Sequence, residues 1–102
     1  MNMGDLMKQA QQLQEKLATV QNDLASMQVT GSAGAGMVIA TLSGKGELLE
    51  LTIENAMVQE ENIQMLQDLI VAAVNDGLNK AKELGKSEMG RLTGGINIPG
   101  LF

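Results

Sequence analysis

Seven cationic side chains, Lys8, Lys16, Lys45, Lys80, Lys82, Lys86 and Arg91, do most to narrow the chemistry open to this chain. Cysteine and histidine are absent. Their absence removes thiol nucleophiles, Cys-based metal sites, and the commonest general base and transition-metal ligand. No nucleophile–base pair or metal set can be assembled, so the expectation is a protein that acts by binding, with no cofactor and no small-molecule substrate. Lys8 and Lys16 are two helical turns apart on one predicted helix. Lys80, Lys82, Lys86 and Arg91 crowd the end of another. Two readings stay open for these groups: contacts to phosphate, or cations that complement the negative end of a helix dipole. Single-stranded nucleic acid is disfavoured, because the only aromatic residue available for stacking is Phe102.

Two other patterns carry less. The run Gly31-Ser32-Ala33-Gly34-Ala35-Gly36 is rich in glycine but lacks the following Lys and Ser/Thr of a phosphate-binding loop, and it leads into a strand. It reads as a hairpin turn. Glu47, Glu50 and Glu54 fall along one strand and read as a solvated face.

The net charge of −5 taken alone argues against a nucleic-acid ligand. The acids, however, are concentrated between residues 28 and 79, where Lys45 alone faces Glu47, Glu50, Glu54, Glu60, Glu61, Asp68 and Asp76. From residue 80 onward the cations are in excess. The first ten residues lack the apolar stretch of a signal peptide. The longest apolar run, Leu69–Val74, falls far short of the roughly 20 residues of a membrane span. A cytoplasmic protein without a membrane partner is expected.

The elements that must position these side chains follow from periodicity. Met3, Leu6, Ala10, Leu13, Leu17, Val20, Leu24 and Met27 recur at alternating steps of three and four, a seven-residue period with two apolar places per heptad. A helix of that length extends about 37 Å, against a radius of gyration of about 13 Å for a globular chain of this size. It should therefore project, and its narrow seam needs another helix to lie on. From residue 28 the period becomes two. Strands are expected over Val29–Ala33, Met37–Ser43 and Glu47–Glu54, joined by turns at Gly34-Ala35-Gly36 and Gly44-Lys45-Gly46. A two-residue Gly44–Lys45 loop would set Ala40 opposite Leu49 and Val38 opposite Leu51. Val38, Ala40, Leu42, Leu49, Leu51 and Ile53 would then share the apolar face.

Asn55–Gln59 reads as a connection, and a second helix is expected from about Glu60 to Gly85. Its apolar stripe of Ile63, Leu66, Leu69, Ile70, Ala73, Val74, Leu78, Ala81 and Leu84 is broad, as in a helix laid on a core. Gly77, set within that stripe, suggests close approach of another backbone. Beyond Gly85 periodicity is lost, and a mobile tail with apolar residues for docking is expected. The fold class is thus α+β, in the order α-β-β-β-α, with residues 1–88 as one domain and residues 89–102 as a Gly-rich tail. A core without Trp or Tyr and a sheet with open edges favour association into a homodimer with projecting helices.

Several segments, taken in order, resemble the YbaB/EbfC family of small bacterial nucleoid-associated proteins. They are Leu6-Met7-Lys8-Gln9-Ala10-Gln11, Val29-Thr30-Gly31, Gly44-Lys45-Gly46, Asp68-Leu69-Ile70-Val71-Ala72-Ala73-Val74-Asn75-Asp76, Met89-Gly90, Leu92-Thr93-Gly94-Gly95 and Pro99-Gly100. The resemblance implies an α–β–β–β–α protomer and a homodimer whose helices project like tweezers around double-stranded DNA. It further implies a place on the nucleoid, low sequence specificity and an influence on gene expression. The residues expected to meet DNA phosphates are Lys8, Lys16, Lys80, Lys82, Lys86 and Arg91. A protein-interaction module, such as a prefoldin-like holdase or scaffold, is the competing expectation.

Overall fold

The computed structural model describes residues 2–92 and has the expected order of elements. Helix α1 (Met3–Ser26) leads into strands β1 (Gln28–Ala33), β2 (Val38–Ser43) and β3 (Leu48–Ile53), and helix α2 (Ile63–Leu92) follows. The strands form one antiparallel sheet in the order β1-β2-β3. The molecule measures 68 × 23 × 16 Å with a radius of gyration of 19.0 Å, well above the value of about 13 Å for a compact chain of this length.

α1 starts at Asn2, whose side-chain oxygen accepts the Asp5 N–H at 2.9 Å, with Asp5 itself near the positive end of the helix dipole. Its other end is fixed to the sheet. Gly44 N–H donates to Met27 O at 2.9 Å, and a Cβ on Gly44 would stand 2.6 Å from Leu24 O. Leu24 is buried, Leu17, Val20 and Met27 are half-buried, and the outer part of the same seam is exposed: Met3, Leu6 and Leu13.

α2 lies across β1 and β2. Val38, Ala40, Leu42 and Ala73 form the fully covered centre, flanked by Val29, Leu51, Ile53, Leu66, Ile70 and Leu78. The close approach expected at Gly77 is present. A Cβ on Gly31 of β1 would collide with Ala73 O and Gly77 N, and one on Gly77 would strike Leu42 Cδ1. The two glycines let strand and helix backbones touch, at the cost of about 1 kcal/mol of helix propensity at residue 77.

Two expectations are corrected. The β2–β3 register pairs Ala40 with Leu51 and Val38 with Ile53, two residues from the expected pairing. The turn is longer than two residues: Ser43 N–H donates to Glu47 O at 2.8 Å around Gly44–Gly46. The buried Ser43 hydroxyl accepts the Lys45 and Glu47 N–H groups inside it. A bulge beside Thr41/Leu42 then sets Leu48 opposite Leu42, so that Leu49 is not the partner there. The shift of two keeps Val38, Ala40, Leu51 and Ile53 on one face.

The second correction concerns α2. Glu60–Asn62 is a 3₁₀ turn, the helix begins at Ile63, and it continues through Gly85 and Gly90 to Leu92. It enters the stretch read as tail by four residues; residues 93–102 lie outside the described residues.

Candidate nucleic-acid interface

α1 runs toward the sheet and α2 away from it, so the two helices lie antiparallel where they meet. The last residue of α2, Leu92, shares a shallow groove with Gln12, Glu15, Lys16, Thr19 and Val20 of α1. Before that groove, residues 3–11 of α1 are all exposed among the described residues. The cations expected to bind phosphate are therefore distributed along one elongated end of the molecule, all on exposed parts of the two helices.

They fall into three classes. Lys8, Lys16 and Lys82 have no ion-pair partner among the described residues. Lys86 pairs with Glu83 at 3.7 Å, both side chains exposed, and the exposed Arg91 pairs at 3.0 Å with Glu88, whose side chain is mostly covered. An exposed pair such as Lys86–Glu83 is worth roughly 0–1 kcal/mol, so Lys86 remains available to a stronger anion, and the Arg91 guanidinium keeps its exposed donors. Lys80 differs from the rest. Its Nζ lies 3.2 Å from Asp76 Oδ2 and donates to Thr30 O at 3.0 Å, while the same carboxylate accepts the Ser32 N–H at 3.0 Å. The Ser32 hydrogen bond first, and then the Lys80 ammonium, hold the Asp76 carboxyl below the ordinary aspartate range.

Lys45, the lone cation of the acidic stretch, is not among the residues expected to meet phosphate. It sits exposed in the β2–β3 turn, which packs on the foot of α1 through Gly44 and toward Leu78 of α2 through Gly46. Lys82 is one helical turn beyond Leu78. Only the spacing of Leu78 and Lys82 was visible in the sequence; the turn's position against α2 depends on the fold.

The acids Glu47, Glu50, Glu54, Glu60, Glu61 and Asp68 lie on β3, the connection and the first turns of α2, toward the sheet end. The helical arms, with Asp5, Glu15, Asp23, Glu83 and Glu88 among the cations, are close to neutral. Among the described residues no group of three or more acids could hold a metal ion, and no helix is long and apolar enough to cross a membrane.

Comparison with known proteins gives these arms a context. Residues 1–96 match the YbaB/EbfC DNA-binding family. A nucleoid-associated protein of Desulfotalea psychrophila is 52% identical over 101 residues, covering 99% of this chain and 95% of the relative. One of Caldanaerobacter subterraneus is 44% identical over 101 residues, covering 99% and 91%. Among solved structures, an uncharacterized protein of Helicobacter pylori has a TM-score of 0.82 at 22% identity, over 91% of this chain and 98% of that one; that likeness concerns the fold. With one family matched across nearly the whole chain, and relatives matched end to end, the chain belongs to the YbaB/EbfC DNA-binding family.

Proposed function

We propose that this protein binds double-stranded DNA as a homodimer on the bacterial nucleoid, chiefly through phosphate contacts and with low sequence specificity. The observation that carries the reading is the placement of Lys8, Lys16 and Lys82, without acidic partners among the described residues, on helices that project from an acidic sheet end. A duplex held along the arms keeps its phosphates away from Glu47, Glu50, Glu54, Glu60 and Glu61. The overall charge of −5 then opposes binding less than its sum suggests, because exposed charges beyond about 10 Å are screened at ordinary salt. Lys86 joins by exchanging a carboxylate for a phosphate, and Arg91 through its exposed donors. Gln9 and Gln12 on α1 add neutral donors that position a backbone without reading sequence.

The homodimer is supported by what one chain leaves uncovered. Met3, Leu6, Met7 and Leu13 on α1, with Leu48 and Leu49 on β3, are each about half exposed or more, and clustered exposed apolar side chains mark a surface for association. Two copies would set two pairs of arms around one cleft. In the cell this places the protein in the cytoplasm, on the chromosome, where it would influence gene expression.

The test is a duplex-binding titration at several salt concentrations. The logarithm of the affinity is expected to fall linearly with log salt, the slope dropping by about 0.9 for each phosphate contact removed. Lys8→Ala, Lys16→Ala and Lys82→Ala should each lower the slope by about that amount. Binding indifferent to salt, or none to any duplex at low salt, would end this reading. The Met-rich exposed face of α1 favours one rival, a holdase or scaffold; it requires suppression of client aggregation and no retardation of DNA.

A further inference from the structure

The two outer edges of the sheet are not equivalent. Residues two apart in a strand turn their backbone groups to the same side. On β1 the Thr30 carbonyl and the Ser32 N–H both end on α2 side chains, Lys80 Nζ at 3.0 Å and Asp76 Oδ2 at 3.0 Å. These are among the groups that β1 does not give to β2, and an added strand would need them. Lys80 and Asp76 are joined at 3.2 Å, and Gly31 between the two anchored residues lies against Gly77. The edge is therefore occupied by a linked pair of side chains on a helix already locked to the strand. On β3, no side chain among the described residues hydrogen-bonds to the backbone of Leu48–Ile53, and Leu48 and Leu49 are half exposed.

We propose that Asp76 and Lys80 form a lock that closes the β1 edge to strand addition, leaving β3 as the only edge at which a strand of a second copy can join. Resting on the homodimer reading above, this makes the assembly self-limiting. Once β3 meets β3, both outer edges of the joined sheet are locked β1 strands, and no third copy can add. An unlocked β1 would be a template for continued growth. A second consequence concerns the ligand: Lys80 is a positioning residue held by Thr30 and Asp76, and it is withdrawn from the phosphate-binding set.

The lack of native cysteine makes single-cysteine crosslinking a direct test in an otherwise unaltered chain. Thr52→Cys on β3 is expected to give disulfide-linked dimers under mild oxidation, and Ser32→Cys on β1 is not. Equal crosslinking from both would overturn the proposal. Asp76→Asn/Lys80→Met should shift sedimentation toward species that grow with concentration, with exchange of the Ser32 amide faster by roughly tenfold or more; Lys80→Arg should restore a single finite species. A double variant that exchanges fast at Ser32 yet keeps the wild-type mass would refute the lock. In the DNA titration Lys80→Met should leave the salt slope unchanged; a loss of about 0.9 would return Lys80 to the phosphate set. A wild-type chain that is monomeric at every concentration would end the homodimer reading and the β3 entry with it, while the double variant would still decide whether β1 is locked.

Discussion

The two helices contain apolar residues in similar variety, yet they bury different ones. On α2 the most deeply covered positions are Ala73, Gly77 and Ala81, among the smallest side chains available and spaced one turn apart. On the outer half of α1 far larger groups, Met3 at 77% and Met7 at 62%, remain exposed. Burial here follows how near two backbones can come, and size of side chain works against it. A row of small residues lets α2 sink onto β1 and β2 until Leu42 and Val38 are sealed. The bulky seam of α1 holds its surroundings off, and its outer side chains stay exposed.

The sharpest way to break this contrast is to fill the contact of α2. Gly77→Val would drive two methyl groups into Leu42 and the β1 backbone, and a loss above about 4 kcal/mol is expected, read as failure of cooperative unfolding in denaturant. Leu42→Ala should cost about 3 kcal/mol in the same measurement, since the residue is fully buried and its neighbours cannot collapse far. Leu6→Ser on the arm should change the stability of the single chain by less than about 0.5 kcal/mol. Its expected effect is on association, seen as a shift of the sedimentation profile toward the monomer. If Leu6→Ser destabilised the chain as much as Leu42→Ala, the contrast between the two helices would be false.

The smallest effect sharpens the comparison at the α2–β1 contact. Asp76 has its folded-state carboxyl held below the usual value of about 4 by Ser32 N–H and by Lys80, and β1 brings it no other titratable group. A lowered folded value means the stabilisation is complete above the unfolded value and is lost as pH falls through the folded one. Melting of wild type and Asp76→Asn should differ most near neutral pH, and the difference should shrink below about pH 4. A difference that grew on acidification would have the wrong sign.

Much of this arrangement was legible in the residues. The helix of α1, the alternation of Val38, Ala40 and Leu42, and Gly77 within an apolar stripe each have a local geometric meaning, and each is found in the fold. The β2–β3 register did not follow, because it depends on how many residues the Gly44–Gly46 turn takes up and on one bulge, neither of which alternation encodes. The end of α2 lies beyond the expected stop at Gly85. A glycine inside a helix costs about 1 kcal/mol without ending it, and here Lys86–Glu83, Arg91–Glu88 and the packing of Leu92 beside α1 accompany the last turns. The Asp76–Ser32 bond spans 44 positions. The i,i+4 spacing of Asp76 and Lys80 sets Lys80 apart from Lys82 in the sequence, but nothing in that spacing shows that the pair reaches Ser32 and Thr30 on the edge of a strand.

The foot of α1 has a mechanical meaning as well. The helix is about 36 Å long and is fixed near one end, where Gly44 meets Met27 and Leu24. It is a lever with a short inner arm, so a rotation of about 5° at the foot carries the tip some ~3 Å. The position of the outer end of α1 is therefore set by small rotations at its foot, and any side chain added at Gly44 acts on the fulcrum.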